Sequence, residues 1–214
     1  MKKKIFKVAI DSPAAAGAGT QAKLIANHYN LIHLDTGKIY RLIGKKYIQN
    51  KNKINKLIAK KLVSNLKIKD LNKKDLTSDK IGTAASIVAK KKYIRKIVFA
   101  FQRKIAYFPP KKYDGSVLDG RDCTSVIVPD ADFKFFITAN LDTRVKRRYL
   151  ELKQMNSLIT YSQVLKSIKK RDKSDINRKI SPLKKTKDSI LINTSKLSKK
   201  ACFEKIKAII DNKL

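Results

Sequence analysis

Asp11-Ser-Pro-Ala-Ala-Ala-Gly-Ala-Gly-Thr20 is the stretch on which the fold turns. Before it, Ile5 to Ile10 is an apolar run of strand length; after it, Ala22, Leu24, Ile25 and His28 recur at helical spacing. The order is therefore strand, small-residue loop, helix. In such a loop glycines let successive backbone N–H groups point into one cavity at a helix N-terminus, where the dipole also favours an anion. Gly17 and Gly19 suit that task, and the Thr20 hydroxyl is placed to reach a Mg²⁺ ion. Ser12, however, stands where the G-x-x-x-x-G-K-[ST] pattern has its first glycine, and Ala18 where it has lysine. Taken alone, the loop is read equally well as a phosphate cradle or as a plain strand-to-helix turn.

Working outward, a second short strand over Leu31 to Leu34 leads into Asp35-Thr-Gly-Lys-Ile-Tyr-Arg41 and another helix. Further strand-like runs fall at Ser116 to Asp119, Phe133 to Thr138 and Ile190 to Asn193, separated by loops or helical segments. Strands alternating with helices predict an α/β fold, a parallel β-sheet flanked by helices, with ligands at the carboxyl ends of the strands. Asp11, Asp35, Asp119 and Arg121 fall at those ends. Residues 50–80, rich in Lys and Asn, read as a small insertion over the core, and Ile81 to Tyr107 as one continuous helix ended by Pro109 and Pro110. Arg144 to Lys153 and Tyr161 to Arg178 read as two charged helices joined by a polar turn, and Lys199 to Ile210 as the last helix. With 214 residues and no internal repeat, the chain is expected to be one folding unit, 1–214.

Composition narrows the partners. The formal charge is +34, but the basic residues are spread over nearly the whole chain, which reads as solvated faces; nucleic acid is expected to be met only non-specifically, through positive charge. No apolar run approaches the ~20 residues of a membrane span, and Lys7 and Asp11 interrupt the stretch after the basic Met1–Lys4, so neither an anchor nor a signal is expected and the default compartment is the cytoplasm. Cys123 and Cys202, His28 and His33 form no zinc or disulfide pattern. Only nine of the 51 basic residues are arginine. Where lysine suffices for a point charge, the remaining arginines mark sites that need a planar, bidentate donor, typically for phosphate or carboxylate.

Beyond the loop, the blocks Leu34-Asp-Thr-Gly37 with Tyr40-Arg41, Thr83-Ala-Ala-Ser86 with Arg95, Asp119-Gly-Arg-Asp122 with Val128-Pro-Asp-Ala131, and Arg171-Asp172 with Asp175, Asn177-Arg178 and Pro182-Leu183 occur in a set order. Together with Asp11–Thr20 they resemble the bacterial cytidylate kinases, P-loop nucleoside-monophosphate kinases whose loops read D-G-P-x-x-x-G-K-G-T and L-D-[ST]-G-x-x-Y-R. The resemblance covers nearly the whole chain. It implies a monophosphate-binding region at about 36–105, a helical lid at about 144–180, and transfer of the γ-phosphoryl of ATP, with Mg²⁺, to CMP or dCMP by a monomeric enzyme.

Carried onto this chain, the resemblance assigns Ser12, Pro13, Ala14, Ala15, Ala16, Gly17, Ala18, Gly19 and Thr20 to ATP, with Thr20 also toward the metal. It assigns Asp35, Thr36, Arg41, Ser86, Arg95, Arg121, Asp122, Asp175 and Arg178 to CMP, and Arg147, Arg171, Asp175 and Arg178 to catalysis. A serine, arginine and aspartate cluster offers both the acceptor and the donors that a cytosine edge requires. Two departures stand out: a stretch between Arg41 and Ser86 shorter than in many members, and Ala18 in place of lysine, with Lys23 or Lys38 as substitutes by proximity. They leave open a nucleotide-binding relative without turnover and, from the charge, a basic RNA-binding protein on a kinase-like scaffold.

Overall fold

The computed structural model describes residues 5–154 and 158–213. Met1–Lys4 and the middle of the polar turn before residue 158 lie outside the described residues. The elements are β1 (Phe6–Asp11), α1 (Ala18–His28), β2 (Leu31–Asp35), α2 (Thr36–Gln49), α3 (Lys56–Ser64), two 3₁₀ turns (Ile68–Asn72 and Lys74–Thr77), α4 (Asp79–Val88), α5 (Lys92–Tyr107) and β3 (Gly115–Gly120). A π-helical turn (Cys123–Ile127), β4 (Phe133–Thr138), α6 (Leu141–Lys153), α7 (Tyr161–Asn177), β5 (Ile190–Asn193) and α8 (Lys199–Asp211) complete the chain.

The five strands form one parallel sheet in the order β2-β3-β1-β4-β5. Side chains alternate across a strand, so β1 feeds both faces: Val8 and Ile10 pack with Ala22, Ile25, Phe135, Ile137 and Ile206 on the side of α1 and α8. Ala9 packs with Leu34, Ile39, Leu118, Ile94 and Val98 on the side of α2 and α5. Burial on both faces explains why these strands are short, nearly continuous apolar runs. A third cluster, Val145, Leu152, Val164 and Ile168, holds α6 against α7 as a pair with its own small core.

The expected helix over Ile81 to Tyr107 is two helices. α4 stops at Val88 and α5 begins at Lys92, with the Lys90 N–H closing a tight turn on the Ile87 carbonyl and the Lys91 N–H on the Val88 carbonyl. The i+3 and i+4 positions after Val88 are Lys91 and Lys92, so the apolar face of α4 stops there; the Ala89 carbonyl, freed at the turn, accepts from Arg95 Nη1 at 3.3 Å. The insertion at 50–80 is likewise more ordered than its composition suggests, since Ile54, Ala59, Val63, Leu66 and Leu71 join the core beneath it.

Candidate active site

The loop after β1 has the backbone of an anion cradle. Ala15 and Gly17 take positive φ, 60° and 94°, and Gly17 caps α1. Among the described residues, none of the N–H groups of Ala15 to Gly19 has a backbone or side-chain acceptor. The loop is held from outside: the Ser12 N–H donates to the Gly120 carbonyl at 3.1 Å and the Ala14 N–H to Asp172 Oδ1 at 3.1 Å. Arg144 donates to the Ala14 carbonyl at 3.1 Å while pairing with Asp172. Thr194 donates its hydroxyl to the Ala16 carbonyl at 3.0 Å and accepts from Arg147 Nη1 at 2.9 Å. That guanidinium lies 3.9 Å from where a Cβ on Gly17 would stand.

Beside the cradle, the carboxyl ends of β2 and β3 bring Asp35 and Asp119 into register. Asp35 caps α2 by accepting the Lys38 N–H at 3.1 Å, and burial, with the Asp119 charge second, raises its pKa. Asp119 Oδ1 meets His33 Nε2 at 2.6 Å, and its Oδ2 lies 3.5 Å from the Cβ position of Gly19. Asp11 points to the other face, accepts from the N–H groups of Cys123 and Thr124 and from the Thr124 hydroxyl, and is pushed up to about 6 by burial against those hydrogen bonds. It anchors the π turn that follows Asp122.

The arginines converge. Arg95 pairs with Asp122; Arg178 lies 3.7 Å from Asp122 and 3.6 Å from Asp175; Arg121 Nε donates to Asp175 at 2.9 Å. Arg41 donates to the carbonyls of Leu76 and Ser78, and Arg148 reaches from α6 to the Thr77 carbonyl at 2.7 Å and to Asp79 at 3.5 Å, tying the α6–α7 pair to the insertion. Burial, reinforced by the charges of Arg171 and Arg148, lowers Arg41 to about 10. Arg171 is lowered by burial and then by Arg121. Three of these side chains keep buried nitrogens without a hydrogen-bond partner: Arg148 Nε, Arg171 Nε and Arg178 Nη2. Buried cations that repel one another, three of them with a nitrogen left without a hydrogen-bond partner, make this region favourable to an anion.

A family model for cytidylate kinases matches residues 8–212. The chain belongs to the cytidylate kinase family. It is 43% identical over 209 residues to a cytidylate kinase of Bartonella tribocorum, covering 97% of this chain and 95% of that one. It is 39% identical over 204 residues to one of Azorhizobium caulinodans, covering 95% and 97%. Among solved structures, an uncharacterised protein from Eubacterium ventriosum superposes with a TM-score of 0.56 at 21% identity, over 96% of this chain and 98% of that chain, a likeness of fold.

Of the residues that resemblance to the cytidylate kinases had singled out, the structure gathers Arg41, Arg95, Arg121, Asp122, Arg171, Asp175 and Arg178 around one region beside the loop. Thr36 and Ser86 both bond to backbone carbonyls. Thr36 is buried and gives its hydroxyl to the Asp119 carbonyl at 2.8 Å, so close to Gly120 that a Cβ there would lie 2.2 Å from it; Ser86 turns its hydroxyl to the Gly82 carbonyl of its own helix at 3.3 Å. Lys23 is no substitute for the missing lysine: it is exposed on α1, and five residues of helix, about 140° of rotation, separate it from buried Ala18. Lys38 lies close enough to Asp35 to stabilise its charge. Sequence reasoning missed Asp172, Thr194 and His33, because their ties run between segments far apart in the chain. Arg144 was read as a lid residue, and its hold on the loop shows only in space.

Proposed function

We propose that the protein is a cytidylate kinase, transferring the γ-phosphoryl group of ATP to CMP or dCMP to give ADP and CDP or dCDP. The observation that carries this reading is the cluster of mutually repelling cations Arg41, Arg148 and Arg171, two of which keep a buried nitrogen without a hydrogen-bond partner, beside a loop of free N–H groups. Ser12 to Thr20 receive the ATP phosphates, with the donors of Ala15 to Gly19 as the cradle. Arg41 and Arg171 take the acceptor phosphate. Arg95 with Asp122 reads the cytosine edge, donor and acceptor side by side, and Arg178, Asp175 and Asp35 hold the ribose side.

The residues present suit a Mg²⁺ ion carried by the nucleotide. Thr20 is exposed in the first turn of α1 and Asp119 Oδ2 faces that turn, while among the described residues no group of three or more His, Cys, Asp or Glu could hold a metal by itself. Mg²⁺ typically rests on substrate phosphates, water and one or two protein oxygens, and when bound it neutralises charge on the phosphates. The chain's own part is positioning and charge: in-line transfer needs little covalent chemistry, and the arginines of α6 and α7 stabilise charge as the phosphoryl moves. The α6–α7 pair, tied to Asp79 and Thr77 through Arg148, closes over the site and excludes water. A coupled assay of ADP release with CMP, AMP and GMP as acceptors tests the reading: CMP must be preferred by a wide margin, and equal use of AMP rejects the cytidylate assignment.

A further inference from the structure

Asp119 carries an arrangement that the assignments above leave unexplained. Alternation along β2 puts His33 and Asp35 on the sheet face covered by α1, and alternation along β3 puts Val117 and Asp119 there too. Asp119 thus stands opposite Asp35, like charge beside like charge, with side-chain exposure of only 11%. Among the described residues its carboxylate has a single hydrogen-bond partner, His33 Nε2 at 2.6 Å to Oδ1, and that imidazole is itself 16% exposed. The second oxygen is left facing the start of α1, 3.5 Å from the Cβ position of Gly19, the residue before Thr20.

We infer that His33 is a positioning residue for the Asp119 carboxylate and, through it, for the divalent cation that accompanies ATP. One oxygen of Asp119 is tied by the imidazole, so the carboxylate cannot turn its free lone pairs away from the first turn of α1. The oxygen so presented and the Thr20 hydroxyl flank the place where the cation rides on the nucleotide. A histidine that orients a carboxylate near a metal acts through it, and loss of such a partner typically weakens metal affinity or activity by about 10- to 100-fold. A purely structural His33–Asp119 pair, tying β2 to β3, would affect folding and leave the cation untouched.

The inference rests on the phosphoryl-transfer reading, and its test separates the two. Mn²⁺ is titrated by electron paramagnetic resonance into the protein with ADP present and CMP absent, for the wild type and for His33→Leu, His33→Gln and His33→Asn. The expected result is about tenfold weaker Mn²⁺ uptake in His33→Leu with metal-free ADP affinity unchanged, and a Mg²⁺ requirement for turnover shifted upward by the same factor. His33→Gln, whose amide reaches the position of Nε2, restores most of the affinity, and the shorter His33→Asn does not. Wild-type Mn²⁺ affinity in a folded His33→Leu overturns the inference. Should His33→Leu not fold, equal affinities in the Gln and Asn variants overturn it as well. Wild-type protein that takes up no ADP takes down the phosphoryl-transfer reading and this inference together, whereas normal ADP uptake with no effect of His33 takes down this inference alone.

Discussion

Replacing Ala18 by lysine probes the feature in which this chain departs most from the P-loop pattern. Ala18 opens α1, and helix side chains lean toward the N-terminus, so a lysine there runs back beneath Ser12–Gly17 toward the free N–H groups of Ala15 to Gly19. Its stem enters a packed layer: Ala18 is 4% exposed, among Ala16, Ala22 and Ile10, each fully buried. Extra methylenes in such a layer cost about 1–3 kcal/mol. Against that, one stabilising charge aimed at the transferred group is worth about 10²- to 10³-fold in turnover. Lys23 cannot already supply it from the far side of α1, Lys38 lies near enough to Asp35 to favour its charge, and of the cations at the loop Arg144 is paired with Asp172 and Arg147 has both terminal nitrogens bonded to Thr194. Ala18→Lys is therefore expected to raise kcat by about one to three orders of magnitude with a smaller change in KM for ATP, and to lower the melting temperature by several degrees. The assay is coupled ADP release at saturating CMP, alongside thermal unfolding. An unchanged kcat in a folded Ala18→Lys protein, with activity also unaffected by Lys23→Ala, Lys38→Ala and Arg147→Ala, refutes this account of the missing charge.

Three further outcomes follow from named contacts. Arg121→Lys keeps the charge and loses the Nε donor to Asp175, so it should impair CMP use far more than Arg103→Lys, whose guanidinium lies over Tyr107 and donates to the Ile127 carbonyl; equal steady-state kinetics would remove the argument from arginine scarcity. The cation cluster should be relieved by an anion: CMP at 100 times its Kd should stabilise the fold by about 2.7 kcal/mol in thermal unfolding, and Arg41→Gln should abolish most of that gain. Asp11 is raised to about 6 from 3.8, so the folded chain keeps a proton that the unfolded chain has lost. Its contribution therefore falls as pH rises through that window, by about 3 kcal/mol at most, and denaturant titrations of Asp11→Asn should lack this decline.

The parallel sheet and the cradle were legible because both are local. Ile5 to Ile10 and Phe133 to Thr138 are apolar runs of strand length, and Gly17 supplies the positive φ that caps α1. Arg41, Arg95, Asp122, Asp175 and Arg178 were legible through motif order, and the structure draws them together. What the chain did not disclose is carried by distance: the Ala14 N–H meets Asp172 from 158 residues away, and Thr194 meets the Ala16 carbonyl from 178. Thr36 and Ser86 each give the hydroxyl hydrogen to a backbone carbonyl, a contact that spacing alone does not disclose. The break at Ala89 to Lys91 does have a trace in the sequence, since Lys91 and Lys92 stand where a continuous helix would place the next apolar residues after Val88.

The central claim is that this chain phosphorylates CMP. ADP production by the unmodified protein, with ATP and Mg²⁺ and with CMP, dCMP, AMP or GMP as acceptor, tests it most directly. The account predicts ADP release that depends on CMP or dCMP and greatly exceeds release with AMP, GMP or no acceptor. Release that is absent with every acceptor, or equal with AMP and CMP, would contradict it.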